Sequence, residues 1–346
     1  MAALELGLRG AAIALLLLWA VLLLRDARER LGAAFAAGVA SYAVCSAPGF
    51  VPPTGLDWHL LVLTICIANP AMFWLFARRL FEDGFNPTRT HWLGYTAYAL
   101  VGSAIFLLAQ RSRAVDRPAL FLVLTLGTIG FAVATAWTIW RGHRDDLVEQ
   151  RRRLRPILMG AAVLYVVGIG VSELGFRGAP PPATLTLLNA AALAGFAVAT
   201  LLAFVRGPTA DLFVPVRATI PIPAVAPVTD ALVEPLLALF LQDRLHREPE
   251  LAVADVARKL GVAEHRLRTL INQQLGHRNF AAFVNGYRLA EAKAALSDPK
   301  QAAVPVSTIA LDSGFGSLGV FNRAFKAETG QTPTAFRQSA LSRDKS

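Results

Sequence analysis

The sequence is poor in charge. Lys, Arg, Asp and Glu together make up 17% of its 346 residues, against about 25% in typical soluble domains. That deficit excludes an ordinary cytosolic enzyme. Cysteine is scarce too: Cys45 and Cys66 are the two in the chain, so a disulfide scaffold is excluded and both are expected to pack rather than react. Lysine is missing altogether before Lys259. A retinal Schiff base requires a lysine, so a retinal protein is excluded as well. The 55% hydrophobic content rules out disordered and collagen-like chains. At about 150 residues per domain the length suggests two domains.

What is present is unevenly spread. Residues 1–226 carry 19 Arg, no Lys and 12 acids, a balance of +7, whereas residues 227–346 carry 10 Arg, 5 Lys and 12 acids, a balance of +3. A bilayer core of ~30 Å takes about 20 apolar residues as a helix. Seven stretches are read as such spans: 7–24, 31–50, 58–77, 91–109, 118–140, 156–176 and 183–205. The second, rich in Ala and Gly, is the weakest. No Lys, Arg or Asp interrupts the middle of any span, where each would cost about 2.5–3.5 kcal/mol. Gly and Ala recur inside them, as expected where helices approach closely in lipid. The first run ends on Arg25-Asp26-Ala27-Arg28-Glu29-Arg30, not on a small-residue cleavage site, so it does not read as a signal peptide.

The short loops set the orientation. Those at 25–30, 78–90 and 141–155 hold 12 arginines, and the opposite set holds 5. The positive-inside rule then puts the N-terminus of a multi-pass membrane domain outside and the C-terminus in the cytoplasm. Arg151-Arg152-Arg153-Leu154-Arg155 is read as a topology determinant. Among polar residues in the spans, Asn69-Pro70 suggests a kink and Asn189 an interhelical hydrogen bond. Glu173 and Asn69 are candidates for shaping a ligand pocket, because ionisable or polar groups in a membrane are functional by default. His59 and His91 have no third ligand nearby, so neither metal nor cofactor is expected. The spans show no paired carboxylates, no nucleophile beside a base and no repeated broken helix, so no enzyme is expected.

Pro208, Pro215, Pro221, Pro223 and Pro227 mark an extended spacer. The organisation is therefore a transmembrane domain at 1–206, a Pro-rich linker at 207–227 and a soluble helical domain at 228–340. Thr229-Asp230 offers a helix cap, with Leu232, Leu236, Leu239 and Phe240 on one face. An internal near-repeat follows. Val253, Val256, Ala257, Leu260 and Gly261 precede Leu267, Leu270, Ile271 and Gly276; Val306, Ile309, Ala310, Ser313 and Gly314 precede Phe321, Ala324, Phe325 and Gly330. One residue is inserted in the second turn. Each copy reads as helix, glycine turn and helix, with a connecting helix at 280–296 carrying Phe283, Tyr287, Ala290 and Ala294 on one side. The outward face of the second helix is His265, Arg268, Thr269 and Asn272 in copy one. In copy two it is Gly319, Asn322, Arg323 and Lys326. Both follow i, i+3, i+4, i+7 spacing and carry donors suited to base edges or phosphates.

Residues 252–337 resemble the DNA-binding domain of the AraC/XylS transcription regulators. The matching stretches are Asp255-Val256-Ala257-Arg258-Lys259-Leu260-Gly261-Val262, Ile309-Ala310-Leu311-Asp312-Ser313-Gly314-Phe315, Phe321-Asn322-Arg323-Ala324-Phe325-Lys326 and Thr329-Gly330-Gln331-Thr332-Pro333-Thr334-Ala335-Phe336-Arg337. The resemblance implies two helix-turn-helix units on a long helix, entering successive major grooves ~34 Å apart. It places His265, Arg268 and Thr269 at base-facing positions in the first unit, and Leu318, Gly319 and Arg323 in the second. Two departures stand out: Ala263 occupies a position where a capping serine is usual, and seven spans replace the family's soluble sensor domain. Leu318 and Gly319 are poor donors, so the second unit is expected to lean more on phosphates. The reading is all-α: a seven-span bundle as sensor, joined to a double helix-turn-helix that binds promoter DNA. Its partners are duplex DNA and the bilayer, with a homodimer and RNA polymerase as candidate partners and the signal ligand unspecified. The rival readings are a transporter or a heptahelical sensor with a regulatory cytoplasmic domain.

Overall fold

The computed structural model describes residues 1–25, 29–50, 57–111, 117–170, 182–205 and 230–343. Regular structure among them is helical, apart from one isolated bridge between Asp146 and Asn279. They divide into two compact units: residues 1–143 with 150–205, and residues 144–149 with 230–343. The linker at 207–227, Thr229 and Glu173 lie outside the described residues.

The seven apolar stretches fall on seven helices: α1 (Ala2–Leu24), α2 (Arg30–Cys45), α3 (Trp58–Phe81), α4 (Arg89–Arg111), α5 (Arg117–Trp140), α6 (Glu149–Gly170) and α7 (Ala183–Val205). Five of them, α1, α3, α4, α5 and α7, are long and apolar enough to cross a membrane. With 16 residues, α2 reaches only ~24 Å at 1.5 Å per residue, short of a ~30 Å core. The first turns of α6 carry Arg151, Arg152, Arg153 and Arg155, which shortens its apolar part.

Aromatic rings tie the first unit together. Phe35 stacks on Phe73 and Phe76 with centroids 4.6 and 5.3 Å apart, and Trp19 meets Phe35 and Phe76 edge-on at 6.4 and 6.3 Å. Close helix approach relies on missing side chains. A Cβ on Gly38 of α2 would fall 2.0 Å from Asn69 Oδ1 of α3. Asn69 therefore fills the space that Gly38 leaves, just before Pro70 inside α3. Asn189 Nδ2 donates to Tyr42 Oη at 3.1 Å, the interhelical bond anticipated at that position.

One polar cluster was not anticipated. Arg9 and Glu5, one turn apart on α1, pair at 3.1 Å and are both buried. Arg9 Nη1 also donates to Ala43 O at 3.1 Å and Ser46 Oγ at 2.7 Å, while Thr186 Oγ1 donates to Glu5 Oε2 at 3.0 Å. The arginine run on α6 is likewise engaged with protein. Arg151 pairs with Asp83 at 2.8 Å; Arg155 donates to the carbonyls of Ile139 and Arg141 at the end of α5 and lies over the Phe81 ring at 4.4 Å.

The second unit contains α8 (Val233–Leu241), a 3-10 turn (Leu245–Arg247), α9 (Val253–Leu260), α10 (Glu264–Gln273), α11 (Phe280–Ser297), α12 (Val306–Asp312), α13 (Leu318–Thr329) and α14 (Pro333–Arg343). Asp230 Oδ1 accepts from Leu232 N at 3.1 Å in the turn that leads into α8, whose N-cap, Leu232, makes no side-chain cap. Two small cores form, one per repeat. The first gathers Val256, Leu267, Leu270 and Ile271 with Leu236 and Phe240; the second gathers Ile309, Ala310, Phe321 and Phe325. The connecting helix α11 serves both, giving Phe280, Phe283 and Val284 to the first and Leu289, Ala292 and Leu296 to the second. This corrects the expected face: Ala290 and Ala294 are exposed. A helix that feeds two cores shifts its buried stripe part-way along, so no single 3.6-residue face describes it.

The turn glycines differ in what surrounds them. Gly261 has φ +67° and open space beyond, whereas Gly314 has φ +90° and a Cβ there would meet His246 O at 2.5 Å and Arg247 Cα at 2.7 Å. The closing motif is equally explicit. Gly330 ends α13 at φ +73°. Thr332 Oγ1 accepts from Ala335 N at 3.3 Å and caps α14, Phe336 packs on Phe325 at 5.3 Å, and Arg337 Nη1 donates to Ala302 O at 3.2 Å. An ion cluster fastens the 3-10 turn to α11: the buried His246 has Nε2 2.7 Å from Glu291 Oε2, and the exposed Arg247 pairs with the same half-buried carboxylate. The Arg247 guanidinium holds the Glu291 carboxyl below the usual carboxylate range, helped by His246.

Candidate nucleic-acid interface

The two second helices, α10 and α13, present different faces. On α13 every nominated residue is exposed: Leu318, Gly319, Asn322, Arg323 and Lys326. Phe321 and Phe325 anchor the opposite side in the second core, which fixes that face outward. A Cβ on Gly319 would lie 3.7 Å from Arg323 Nη1, so the guanidinium extends back along the glycine side of the face. Arg323 and Lys326 form no ion pair among the described residues. Their charge is open to a phosphate or a base edge.

On α10 the nominated residues separate. His265 and Thr269 are exposed, and Thr269 Oγ1 donates to His265 O at 3.0 Å. Asn272 is half-buried and donates to His277 O at 3.0 Å. Burial lowers the pKa of the His277 imidazole. Arg268 points away from solvent, with 7% of its surface exposed. Its Nε donates to Glu264 Oε1 at 2.9 Å, Nη1 to Asp146 O at 2.8 Å and Nη2 to Arg144 O at 2.9 Å, while Nη2 also pairs with Glu264. The signal of this partner segment in the sequence is Leu147-Val148, an apolar pair in an otherwise charged loop.

Helix caps also separate the units. Ser317 Oγ accepts from Val320 N at 3.4 Å at the start of α13, whereas Ala263 at the start of α10 makes no side-chain cap. Ala263 already has the extended backbone of an N-cap. Replacing Ala263 with serine should therefore stabilise the unit by about 1 kcal/mol. A rise in the urea midpoint of hydrogen exchange in α10 would show it; an unchanged midpoint would refute it.

Residues 256–339 match the family model of the helix-turn-helix domain. The C-terminal unit carries a helix-turn-helix domain. The match overlaps the 252–337 stretch of the AraC-type resemblance from Val256 onward. The chain is 33% identical to the transcriptional regulator Rob of Salmonella typhimurium over 95 residues, 28% of this chain and 32% of that protein. It is 33% identical to the right origin-binding protein of Escherichia coli K12 over 94 residues, 27% of this chain and 31% of that protein, and equally so to that of Shigella flexneri. The chain thus spans about a third of the length of the curated relatives it matches. No solved structure matches it significantly.

In the first unit a cleft of about 230 Å3 opens between α3, α4 and α5, lined by Trp74, Thr90, His91, Tyr95 and Phe131 among others. His91 lies between Arg78 Nη1 at 3.0 Å and Thr88 Oγ1 at 2.7 Å, and His59 faces Asp57 at 3.5 Å. Cys45 and Cys66 are free thiols. Among the described residues no group of three His, Cys, Asp or Glu side chains is placed to hold a metal ion.

Proposed function

We propose that this chain is a membrane-bound transcription regulator. In this reading seven helices cross the bacterial inner membrane with the N-terminus outside, and the cytoplasmic domain reads duplex promoter DNA. The observation that carries it is a helix-turn-helix domain in one chain with five helices long and apolar enough to span a bilayer. Arg323, Asn322 and Lys326 on α13 would contact base edges and phosphates, with Leu318 against a thymine methyl. His265 and Thr269, exposed on α10, would serve the first unit, joined by Arg268 and Asn272 when their present contacts open. The helical bundle would act as sensor, with the cleft beside His91 as the place for a small ligand.

The test uses the full-length chain in lipid nanodiscs and genomic duplexes selected by it, footprinted at fixed salt. Wild type should protect two tracts one helical turn apart. Arg323→Ala should weaken binding about 5–150-fold, the equivalent of ~1–3 kcal/mol for a guanine contact. Full affinity in that variant would remove α13 from the reading. A C-terminal reporter found outside the cell would remove the function altogether.

A further inference from the structure

The segment between α5 and α6 does not behave as a loop of the first unit. Residues 144–149 are part of the same compact unit as the helix-turn-helix domain. Leu147 is buried in the core of the first repeat with Val233, Leu267 and Phe280, and Asp146 and Val148 are buried beside it. The backbone pairs through one isolated antiparallel bridge. Phe280 N donates to Asp145 O at 2.8 Å and Leu147 N donates to Arg278 O at 3.0 Å, on either side of the Asp146–Asn279 bridge.

The same strap takes the outer nitrogens of Arg268, the strongest donor on the first candidate reading face. A guanidinium has five N–H donors. Here Nε, Nη1 and Nη2 are turned to Glu264, Asp146 O and Arg144 O. By contrast Arg323 and Lys326 on α13 are exposed. One head is clasped and the other is open.

We infer that residues 144–148 are an intramolecular competitor of DNA: the strap and the duplex take turns on Arg268 and the edge at 278–280. This inference rests on the DNA-reading function proposed above. It supplies that function with a control point, because the strap runs directly into α6 and begins four residues after α5 ends. A signal that shifts those helix ends acts on the clasp through the chain itself. Linkage makes the coupling reciprocal: DNA that displaces the strap favours whatever membrane state releases it.

The clasp can be locked. Asp146 and Asn279 form a non-hydrogen-bonded antiparallel pair, a geometry with Cα atoms ~4.5 Å apart and within disulfide range. The test uses the full-length chain in nanodiscs, with Cys45 and Cys66 changed to Ala and Asp146→Cys/Asn279→Cys introduced. After oxidation, affinity for the footprinted duplex should fall at least tenfold and the protected tract should shrink to the α13 side; reductant should restore both. Leu147→Ser, which disfavours the seated strap, should raise affinity several-fold. Equal affinity and footprint in the verified oxidised and reduced forms would overturn the clasp and leave the DNA reading intact. No protection in either form would overturn both.

Discussion

Gly314→Ala should destabilise the helix-turn-helix unit by about 2–5 kcal/mol. A left-handed backbone costs a residue with a Cβ about 1–2 kcal/mol, and at φ +90° Gly314 holds such a backbone. The added methyl would also press on His246 O and Arg247 Cα, both main-chain atoms that no rotamer change can move. Overpacking of that kind adds about 1–3 kcal/mol. Gly261→Ala is the internal control: its φ is +67° with nothing within 4 Å, so only the backbone term, about 1–2 kcal/mol, applies. All six tryptophans precede residue 141, so their fluorescence is blind to this unit. Hydrogen exchange over residues 306–329 is the suitable measurement. Equal losses for the two alanines would show that the approach of the 3-10 turn to Gly314 is not a constraint.

The second large effect lies at the start of α1. Arg9→Ala should cost about 3–5 kcal/mol, because it leaves the Glu5 carboxylate buried without its cation. Glu5→Leu combined with Arg9→Leu should recover much of that loss, since an apolar pair of similar volume removes both charges. Here tryptophan fluorescence is the right probe: Trp19 sits in the core of the same helix. Denaturant unfolding in detergent would compare the variants. If the single replacement shifts the midpoint no more than the double, the pair is not holding α1, α2 and α7 together.

These two sites mark what could and could not be read from the chain. The apolar runs, the repeat and its closing motif were legible because each depends on local spacing. Asn189 was legible as a polar residue within an apolar helix that needs a partner. Arg9 was not, since an acid and a base one turn apart near a terminus look like an exposed pair until α2 and α7 cover them. Arg268 misled for a similar reason. Its position on the helix marks it as outward, and only a segment 122 residues away shows that it is held. The face of α11 was missed because one periodicity was asked to describe a helix with two cores.

The connecting helix has a consequence for the DNA. Its 18 residues span ~27 Å, and each half is embedded in a different core, so the two heads ride on one stiff caliper. Sites on DNA are phased by rotation as well as distance, about 10–10.5 base pairs to the turn. Inserting or deleting a base pair between two half-sites would therefore carry one of them out from under its head. If both heads read DNA as proposed, an operator for this domain would be a sequence of set phase, not two boxes with an adjustable gap.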